Sequence, residues 1–186
     1  MSAPRSRRRG VTLALVGLTV VAVVALGVWL GGRGNQGGVV VAAGRPLTVE
    51  RDQLAPLFRL TTLDGETVDL ADSQGDVVLV NFWATWCPPC RAEMPVIEAA
   101  YQAHKDKGFR VLAVDVREGK DEVAAYAREL GLSFPVLLDQ NGDVTLAYRV
   151  QNLPRSFLID RQGRVVRIHP GELTPETIER YLQELL

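Results

Sequence analysis

Residues 77–90 read Val-Val-Leu-Val-Asn-Phe-Trp-Ala-Thr-Trp-Cys-Pro-Pro-Cys and join an apolar run to two closely spaced cysteines. Residues 77–83 are almost continuously apolar, which is typical of a central strand buried on both faces of a sheet. A helix is predicted from Pro88 to Lys107, because Gly108 follows as a stop signal. The cysteines therefore lie where a central strand passes into a helix.

Strands and helices alternate along the sequence around this segment. Asp64-Gly65 is a typical hairpin turn between two predicted strands. Apolar residues at helical spacing predict another helix that ends at Gly131, and Thr174 and Pro175 begin the last one. Strands are predicted at residues 57–62, 66–70, 77–83, 109–115, 156–159 and 164–168. The alternation is typical of an α/β domain with helices on both faces of a sheet.

A long apolar segment lies near the N-terminus. Val11–Leu30 contains no charged residue and is long enough to cross a hydrocarbon core of roughly 30 Å. Arginines at 5 and 7–9 precede it, and positive charge beside a first span stays on the cytoplasmic side. Val41-Ala42-Ala43 would suit cleavage of a signal peptide, but the apolar run exceeds the roughly 7–15 residues usual in such peptides. We expect an uncleaved, single-pass anchor with the C-terminal domain on the extracytoplasmic side.

The chain is therefore expected to have four parts. These are a basic cytoplasmic segment at 1–10, a transmembrane anchor at 11–30, a flexible glycine-rich tether at 31–44 and a folded domain at 45–186. Five of the 21 basic residues and none of the 22 acidic ones lie in residues 1–34, so the remainder is mildly acidic. Because it has no basic stripe, nucleic acid is excluded as an expected partner.

Cys87 and Cys90 are the only cysteines of the chain, and their spacing allows three interpretations. A closed zinc site needs four ligands, and the only other obvious donors are His104 and His169. A structural disulfide across two residues would constrain very little chain. A redox pair fits better, because the start of a helix favours a thiolate at Cys87 and places Cys90 one turn away. We expect Cys87 to be the exposed thiol and Cys90 to be shielded.

Residues 81–95, which read Asn-Phe-Trp-Ala-Thr-Trp-Cys-Pro-Pro-Cys-Arg-Ala-Glu-Met-Pro, resemble the active site of the TlpA/ResA-like thiol–disulfide oxidoreductases. The resemblance covers the chain from about Arg45 to Leu186. It implies a thioredoxin-like fold, with a mixed central sheet flanked by helices, an N-terminal hairpin and a central insertion at 116–150. It also implies membrane tethering and a redox-active Cys87–Cys90 disulfide, and neither a bound cofactor nor a metal is expected.

The resemblance assigns catalytic roles to three residues. Cys87 attacks a substrate disulfide, and Cys90 then resolves the mixed disulfide. Glu93 matches an active-site glutamate of the family and lies three residues after Cys90, on the neighbouring helical position. It is expected to exchange a proton with Cys90, the alternative being a simple favourable interaction with the helix dipole.

The resemblance also points to substrate-binding residues. Leu153-Pro154 matches the family's cis-proline, which lies beside the cysteines and helps to hold the substrate backbone. Trp86 is expected at the rim of the site and is included among the substrate-binding residues. Arg155 departs from the pattern, because family members often have a small hydroxyl residue there. This departure concerns substrate preference more than the chemistry.

The expected function is reduction of protein disulfides outside the membrane, with apocytochrome c as one candidate substrate and a membrane thiol electron carrier as the recycling partner. A peroxiredoxin-like peroxidase is an alternative, but Val80 and Ala84 occupy the Pro and Thr positions of its P-x-x-x-T-x-x-C motif. A copper-delivery thiol protein would use His169 with the thiolates. An oxidant of secreted proteins would run the same exchange in reverse.

The proline pair predicts the direction of electron flow. Pro88 and Pro89 have no backbone N–H, so they cannot stabilise a thiolate at Cys87. Asn81 stands where ordinary thioredoxins have a buried Asp, so no buried carboxylate is expected beneath the site from that position. A less stabilised thiolate makes the dithiol a better reductant.

Overall fold

The structure, a computed structural model, describes residues 38–40 and 49–186. The predicted cytoplasmic segment, the predicted anchor and most of the predicted tether lie outside these residues. Within them, no helix combines the length and the apolar character needed to cross a membrane.

The described residues form one mixed sheet with helices on both faces. The strands are β1 Gly38–Val40, β2 Leu57–Thr62, β3 Thr67–Asp69, β4 Val77–Trp83, β5 Phe109–Val116, β6 Val136–Asp139, β7 Arg155–Ile159 and β8 Val165–Pro170. The α-helices are α1 Pro88–His104, α2 Lys120–Leu130, α3 Asp143–Ala147 and α4 Pro175–Leu185, and short 3-10 helices lie at Leu70–Ser73 and Lys105–Lys107. The strand order is β1-β2-β6-β5-β4-β7-β8, with β3 paired to the other edge of β2.

β4 is the central strand, as its apolar run predicts. All seven of its residues are buried. It runs parallel to β5 and antiparallel to β7, and the register places Asn81 between Ala113 and Ser156. The carboxyl ends of β4 and β5 therefore lie side by side, and the first cysteine follows four residues after β4.

Two apolar cores cover the two faces of the sheet. One contains Trp83, Met94 of α1 and Ile178 of α4, together with buried residues of α2. The other contains Phe82 and Tyr148, with buried residues of α3 and of the segment that precedes β2. Because β4 contributes alternate residues to both cores, its position is fixed from both sides.

The element boundaries agree with the predictions where local signals are strong. The turn at Asp64-Gly65 joins the antiparallel strands β2 and β3, although β3 is shorter than the predicted strand. Gly108 and Gly131 adopt left-handed conformations with φ of 82° and 64° at the ends of the helical segments. The side chain of Thr174 accepts a hydrogen bond from Thr177 N–H and caps α4.

Three of the described strands and α-helices were not predicted. β6 and α3 lie inside the predicted insertion, and β1 lies inside the segment predicted as a tether. β1 pairs with β2 through Gly38–Val40 and Leu57–Arg59, so the sheet extends further toward the N-terminus than residue 45. All three elements are short and depend on pairing or packing with distant residues, which local sequence signals do not report.

Candidate active site

The two cysteines form a disulfide at the start of α1. Cys87 is the N-cap residue of the helix, and Cys90 lies in its first turn, with a Cα–Cα distance of 5.3 Å. The N–H of Cys87 donates to Ala84 O at 3.2 Å, so residues 84–87 form a tight turn between β4 and α1. This arrangement confirms the predicted position of the pair between strand and helix.

The two sulfur-bearing residues differ little in exposure in this disulfide form. Cys87 is 4% exposed and Cys90 is completely buried. The prediction of an exposed Cys87 is therefore wrong for the oxidised protein. The order of accessibility is as predicted, since Cys87 is the one that reaches the surface.

Glu93 is a buried carboxyl group with specific partners. It lies one helical turn after Cys90 and is completely buried. Its Oε1 accepts a hydrogen bond from Asn81 Nδ2 at 2.8 Å, and its Oε2 accepts one from the N–H of Leu173 at 2.8 Å. Asn81 Nδ2 also donates to Ser156 Oγ at 2.9 Å. Two distant segments, β4 and the loop before α4, therefore hold this side chain, and β7 holds Asn81.

Burial raises the pKa of Glu93 to about 7, although its hydrogen bonds from Leu173 and Asn81 oppose that rise. A nearby acidic neighbour, Glu172, adds a smaller contribution in the same direction as burial. A buried carboxyl group therefore lies near the cysteine pair, although position 81 contributes none. Asn81 does not supply one, but it donates a hydrogen bond to the carboxyl group that α1 places there.

A surface groove opens beside Cys87. It has a volume of about 500 Å³. Trp86 and Leu146 are its exposed apolar side chains, with 67% and 76% of their surfaces accessible. Leu153, Val116 and Arg117 also line it. The structure thus brings Trp86, Cys87 and Leu153 together, as the resemblance implies, whereas Glu93 is enclosed beneath the surface.

The peptide bond between Leu153 and Pro154 is cis, as the resemblance implies. Pro154 is buried, and its carbonyl accepts a hydrogen bond from Gly171 N–H at 3.0 Å. The next residue, Arg155, begins β7 opposite Phe82 of β4. Its guanidinium lies 5.9 Å from the centre of the Phe157 ring, so this arginine packs along the sheet next to the proline.

A second group of buried acids lies close to the turn at 84–87. Both carboxylate oxygens of Glu118 accept hydrogen bonds from Thr85, one from its N–H at 2.6 Å and one from its hydroxyl at 2.5 Å. The N–H of Glu118 donates to Asp115 Oδ1 at 3.2 Å. The sequence analysis missed these residues. The signal available was two acids just after a predicted central strand, where the ends of parallel strands meet.

Neither of the two histidines has a hydrogen bond or ion pair with the cysteine pair among the described residues. His104 is half-buried and contacts Glu179 of α4 at 3.1 Å. His169 contacts the Tyr181 hydroxyl at 3.3 Å. Among residues 38–40 and 49–186, no three His, Cys, Asp or Glu side chains form a group suited to a metal ion.

Comparisons with known proteins agree with this geometry. Residues 50–185 match the Redoxin family. The thiol–disulfide oxidoreductase ResA of Geobacillus kaustophilus is 44% identical over 131 residues, covering 70% of this chain and 75% of the relative. ResA of Bacillus cereus strain ATCC 10987 is 40% identical over the same length, covering 70% and 76%.

Solved structures show the same fold. A thiol:disulfide interchange protein of the thioredoxin family from Chlorobium tepidum superposes with a TM-score of 0.67 at 29% identity, covering 74% of this chain and 98% of that one. With the disulfide at the start of α1 and the cis-proline, these similarities show that the chain belongs to the redoxin family and is a thiol–disulfide oxidoreductase of the ResA type.

Proposed function

We propose that this chain is a membrane-anchored reductase of protein disulfides that acts outside the cytoplasmic membrane through Cys87 and Cys90. The observation that carries the proposal is that Cys87 lines an open groove, whereas Cys90 is completely buried and lies one helical turn before the buried Glu93. Such an arrangement separates a nucleophile that meets the substrate from a resolving thiol that does not.

In the first step, the thiolate of Cys87 attacks one sulfur of a substrate disulfide. A bond forms between Cys87 Sγ and that sulfur, and the other substrate sulfur leaves as a thiolate. The groove lined by Trp86, Leu146 and Leu153 binds the chain around the substrate cysteine. Leu153 lines this groove together with Cys87, so a substrate backbone bound there lies next to the reacting residue.

In the second step, the thiolate of Cys90 attacks Cys87 Sγ. The Cys87–Cys90 disulfide forms, and the substrate sulfur that was bonded to Cys87 leaves as a thiolate with the electron pair. The substrate has then gained two electrons and the protein has lost two. Glu93 takes up the proton that Cys90 must lose. A pKa of about 7 suits this role, because the group can accept and release a proton near neutral pH.

Recycling requires a two-electron thiol reductant, and we propose a membrane thiol electron carrier. The apolar segment at Val11–Leu30 supports an anchor, and the arginines before it support an extracytoplasmic domain.

The substrate class is a protein cysteine pair, with apocytochrome c as the candidate that the family resemblance suggests. The ResA relatives support the exchange chemistry itself.

The proposed direction of exchange rests on the start of α1. Pro88 and Pro89 occupy its first two positions, so Cys90 provides the first N–H of the helix. Because a thiolate at Cys87 receives fewer backbone hydrogen bonds than at an ordinary helix start, the reduced form is less stabilised. The dithiol therefore gives up its electrons more readily.

The proposal is tested by trapping mixed disulfides in cells that make the full-length protein. In Cys90→Ala the second step cannot occur, so Cys87 should remain bonded to substrate proteins that carry a cysteine pair. The matched control is Cys87→Ala, which retains Cys90 but should trap nothing. Equal trapping by the two variants, or trapping only by Cys87→Ala, would refute the assigned roles.

A further inference from the structure

Two buried carboxyl groups meet at the carboxyl ends of β4 and β5. Asp115 is completely buried, and Glu118 is 9% exposed. Asp115 stands in register with Trp83, the last residue of β4. One oxygen of Asp115 accepts the N–H of Glu118, whereas Oδ2 has no hydrogen-bond partner among the described residues. A buried carboxylate oxygen without a donor is costly, but a protonated one becomes a donor itself.

The chain between these two acids is bent to bring them together. Arg117 adopts a left-handed conformation with φ of 64°, which is uncommon for a residue with a side chain. This bend directs Glu118 back to Thr85, so its carboxylate accepts both donors of that residue. A strained backbone persists only where surrounding contacts hold it in place. Here the hydrogen bonds of Glu118 with Thr85 and Asp115 do so.

Thr85 links this acid pair to the reacting sulfur. It lies in the turn that is closed by the hydrogen bond from Cys87 N–H to Ala84 O, two residues before Cys87. The two hydrogen bonds from Thr85 to Glu118 therefore hold this turn to the segment that follows β5.

The charges around Asp115 favour its neutral form. Burial is the largest effect, and contact with the Glu118 carboxyl is the next, so the pKa of Asp115 rises to about 8. Glu122 of α2 adds further negative charge. From β4 the neighbour in register is Trp83, which has no charge, and Tyr126 of α2 packs on it with 5.9 Å between ring centres.

Two other charged groups, from α1 and β6, have partners of their own. Arg91 of α1 donates to the Tyr126 hydroxyl at 3.1 Å. From β6, Asp139 stands in register with Val116, and its carboxylate accepts N–H groups of Val144 and Thr145 at the start of α3. Neither group supplies a positive charge that pairs with Asp115.

We propose that Asp115 is a positioning residue of the active site, which in its neutral form donates to Glu118 and thereby holds Thr85 and the turn that presents Cys87. Loss of the proton places two negative charges side by side in a buried site and loosens the hold of Glu118 on Thr85. The proposal rests on thiol–disulfide exchange at Cys87 and not on the direction of that exchange.

The test uses the full-length, reduced protein in detergent micelles, with 5,5′-dithiobis(2-nitrobenzoic acid) as the disulfide. The rate of attack by Cys87 is measured from pH 6 to 10 and divided by the thiolate fraction, which is obtained from absorbance at 240 nm. This division removes the titration of Cys87 itself. For the natural sequence, the normalised rate should fall about tenfold as Asp115 ionises, since misplacing a nucleophile costs rate.

Asp115→Asn mimics the neutral acid in shape and in its capacity to donate a hydrogen bond. Its normalised rate should equal that of the natural sequence within about twofold below pH 7 and should stay level above pH 8. Asp106→Asn, which removes an exposed acid at the far end of α1, should keep the natural profile. A fall in Asp115→Asn parallel to that of the natural sequence would overturn the proposal.

A second measurement is independent of exchange. The side-chain carboxyl of Asp115, labelled with ¹³C and assigned by its loss in Asp115→Asn, is titrated by NMR in the full-length protein. The proposal requires it to remain protonated at pH 7. An ordinary aspartate titration near pH 4 would overturn it, whatever the cysteine pair is found to reduce or oxidise.

Discussion

Glu93 shows how a single side chain can be made to titrate near neutral pH. Its carboxyl group has no contact with solvent, so its charged form loses the stabilisation that water would provide. Two hydrogen bonds recover part of that loss but not all of it, because the pKa of Glu93 still lies near 7. Its role as proton acceptor for Cys90 is a prediction that this environment supports.

Replacing Glu93 by Gln should change how the stability of the oxidised protein depends on pH. A carboxyl group with a raised folded-state pKa favours folding fully below pH 4.5, and this contribution is lost as the pH rises through about 7. Between pH 5 and pH 8, the unfolding free energy of the natural sequence should fall by up to about 3 kcal/mol more than that of Glu93→Gln. Guanidinium unfolding at the two pH values measures this difference.

Glu129→Gln is the matched control, because Glu129 is an exposed acid on α2. Its unfolding free energy should depend on pH as that of the natural sequence does. Asp115 contributes equally to the pH dependence of all three proteins, so it does not affect the comparison. Parallel curves for the natural sequence and Glu93→Gln would contradict the assignment of a raised pKa to Glu93. The group would then act only through the helix dipole.

The sequence could predict which residues carry the chemistry but not all the partners that tune them. Cys87, Cys90 and Glu93 lie within seven residues, and helical spacing places Glu93 beside Cys90. Asn81 and Leu173, which hold the Glu93 carboxyl, are separated from it by 12 and 80 positions. Contacts over such distances depend on strand register and loop packing, which local patterns do not determine.

At the scale of elements, the junction of β4 and α1 determines the properties of the site. β4 is buried along its whole length and ends at Trp83, and α1 begins at Pro88. The strand fixes the turn in space, and the helix start sets the electrostatic environment of Cys87. The two prolines at that start reduce the number of N–H groups that face the sulfur.

Replacing Pro89 by Ala should make the cysteine pair less reducing. The alanine adds one N–H in the first turn of α1, where it can stabilise a thiolate at Cys87. If this stabilisation changes the exchange constant tenfold, the reduction potential should rise by about 30 mV. Equilibration with a dithiothreitol buffer series, followed by alkylation of free thiols, measures the potential.

Pro95→Ala is the control for this prediction. Pro95 is an exposed residue inside α1, beyond the first turn, so an added N–H at that position does not face the sulfur. Its potential should equal that of the natural sequence. A lower potential in Pro89→Ala, or an equal rise in both variants, would contradict the role given to the helix start.

The elements that the sequence predicted are those with strong local signals. β4 has a continuous apolar run, Gly108 ends the helical segment that starts with α1, and α4 begins with a Thr-Pro pair. α3 has five residues, and Asp139 of β6 accepts the N–H groups of Val144 and Thr145 at its start. This helix therefore depends on a neighbouring strand that is itself only four residues long, and neither has a pattern long enough to recognise.

At the scale of the whole molecule, the proposed function requires the site to face the extracytoplasmic side. The anchor proposal predicts that an impermeant thiol reagent labels the reduced cysteine pair in intact cells, because the pair lies outside the membrane. Gel-shift detection with full-length protein measures the labelled fraction. A variant with an added cysteine beside Arg5 should be protected at that position until lysis, and protection of Cys87 until lysis would contradict the proposed topology.

The direction of exchange depends on how the whole domain balances the reduced and oxidised forms of the pair. Strong oxidants of the DsbA type lie at about −120 mV because their reduced form is unusually stabilised, whereas thioredoxin lies at about −270 mV. The proline pair at the start of α1 predicts a potential nearer to that of thioredoxin.

The reduction potential of the Cys87–Cys90 pair is therefore the measurement that tests the reductase proposal most directly. It is obtained by equilibrating the full-length protein with glutathione and dithiothreitol buffers of known potential and separating its reduced and oxidised forms after alkylation. We predict a value of roughly −250 mV, which is suited to a reductant of protein disulfides. A value above about −160 mV would contradict this account and identify the protein as an oxidant.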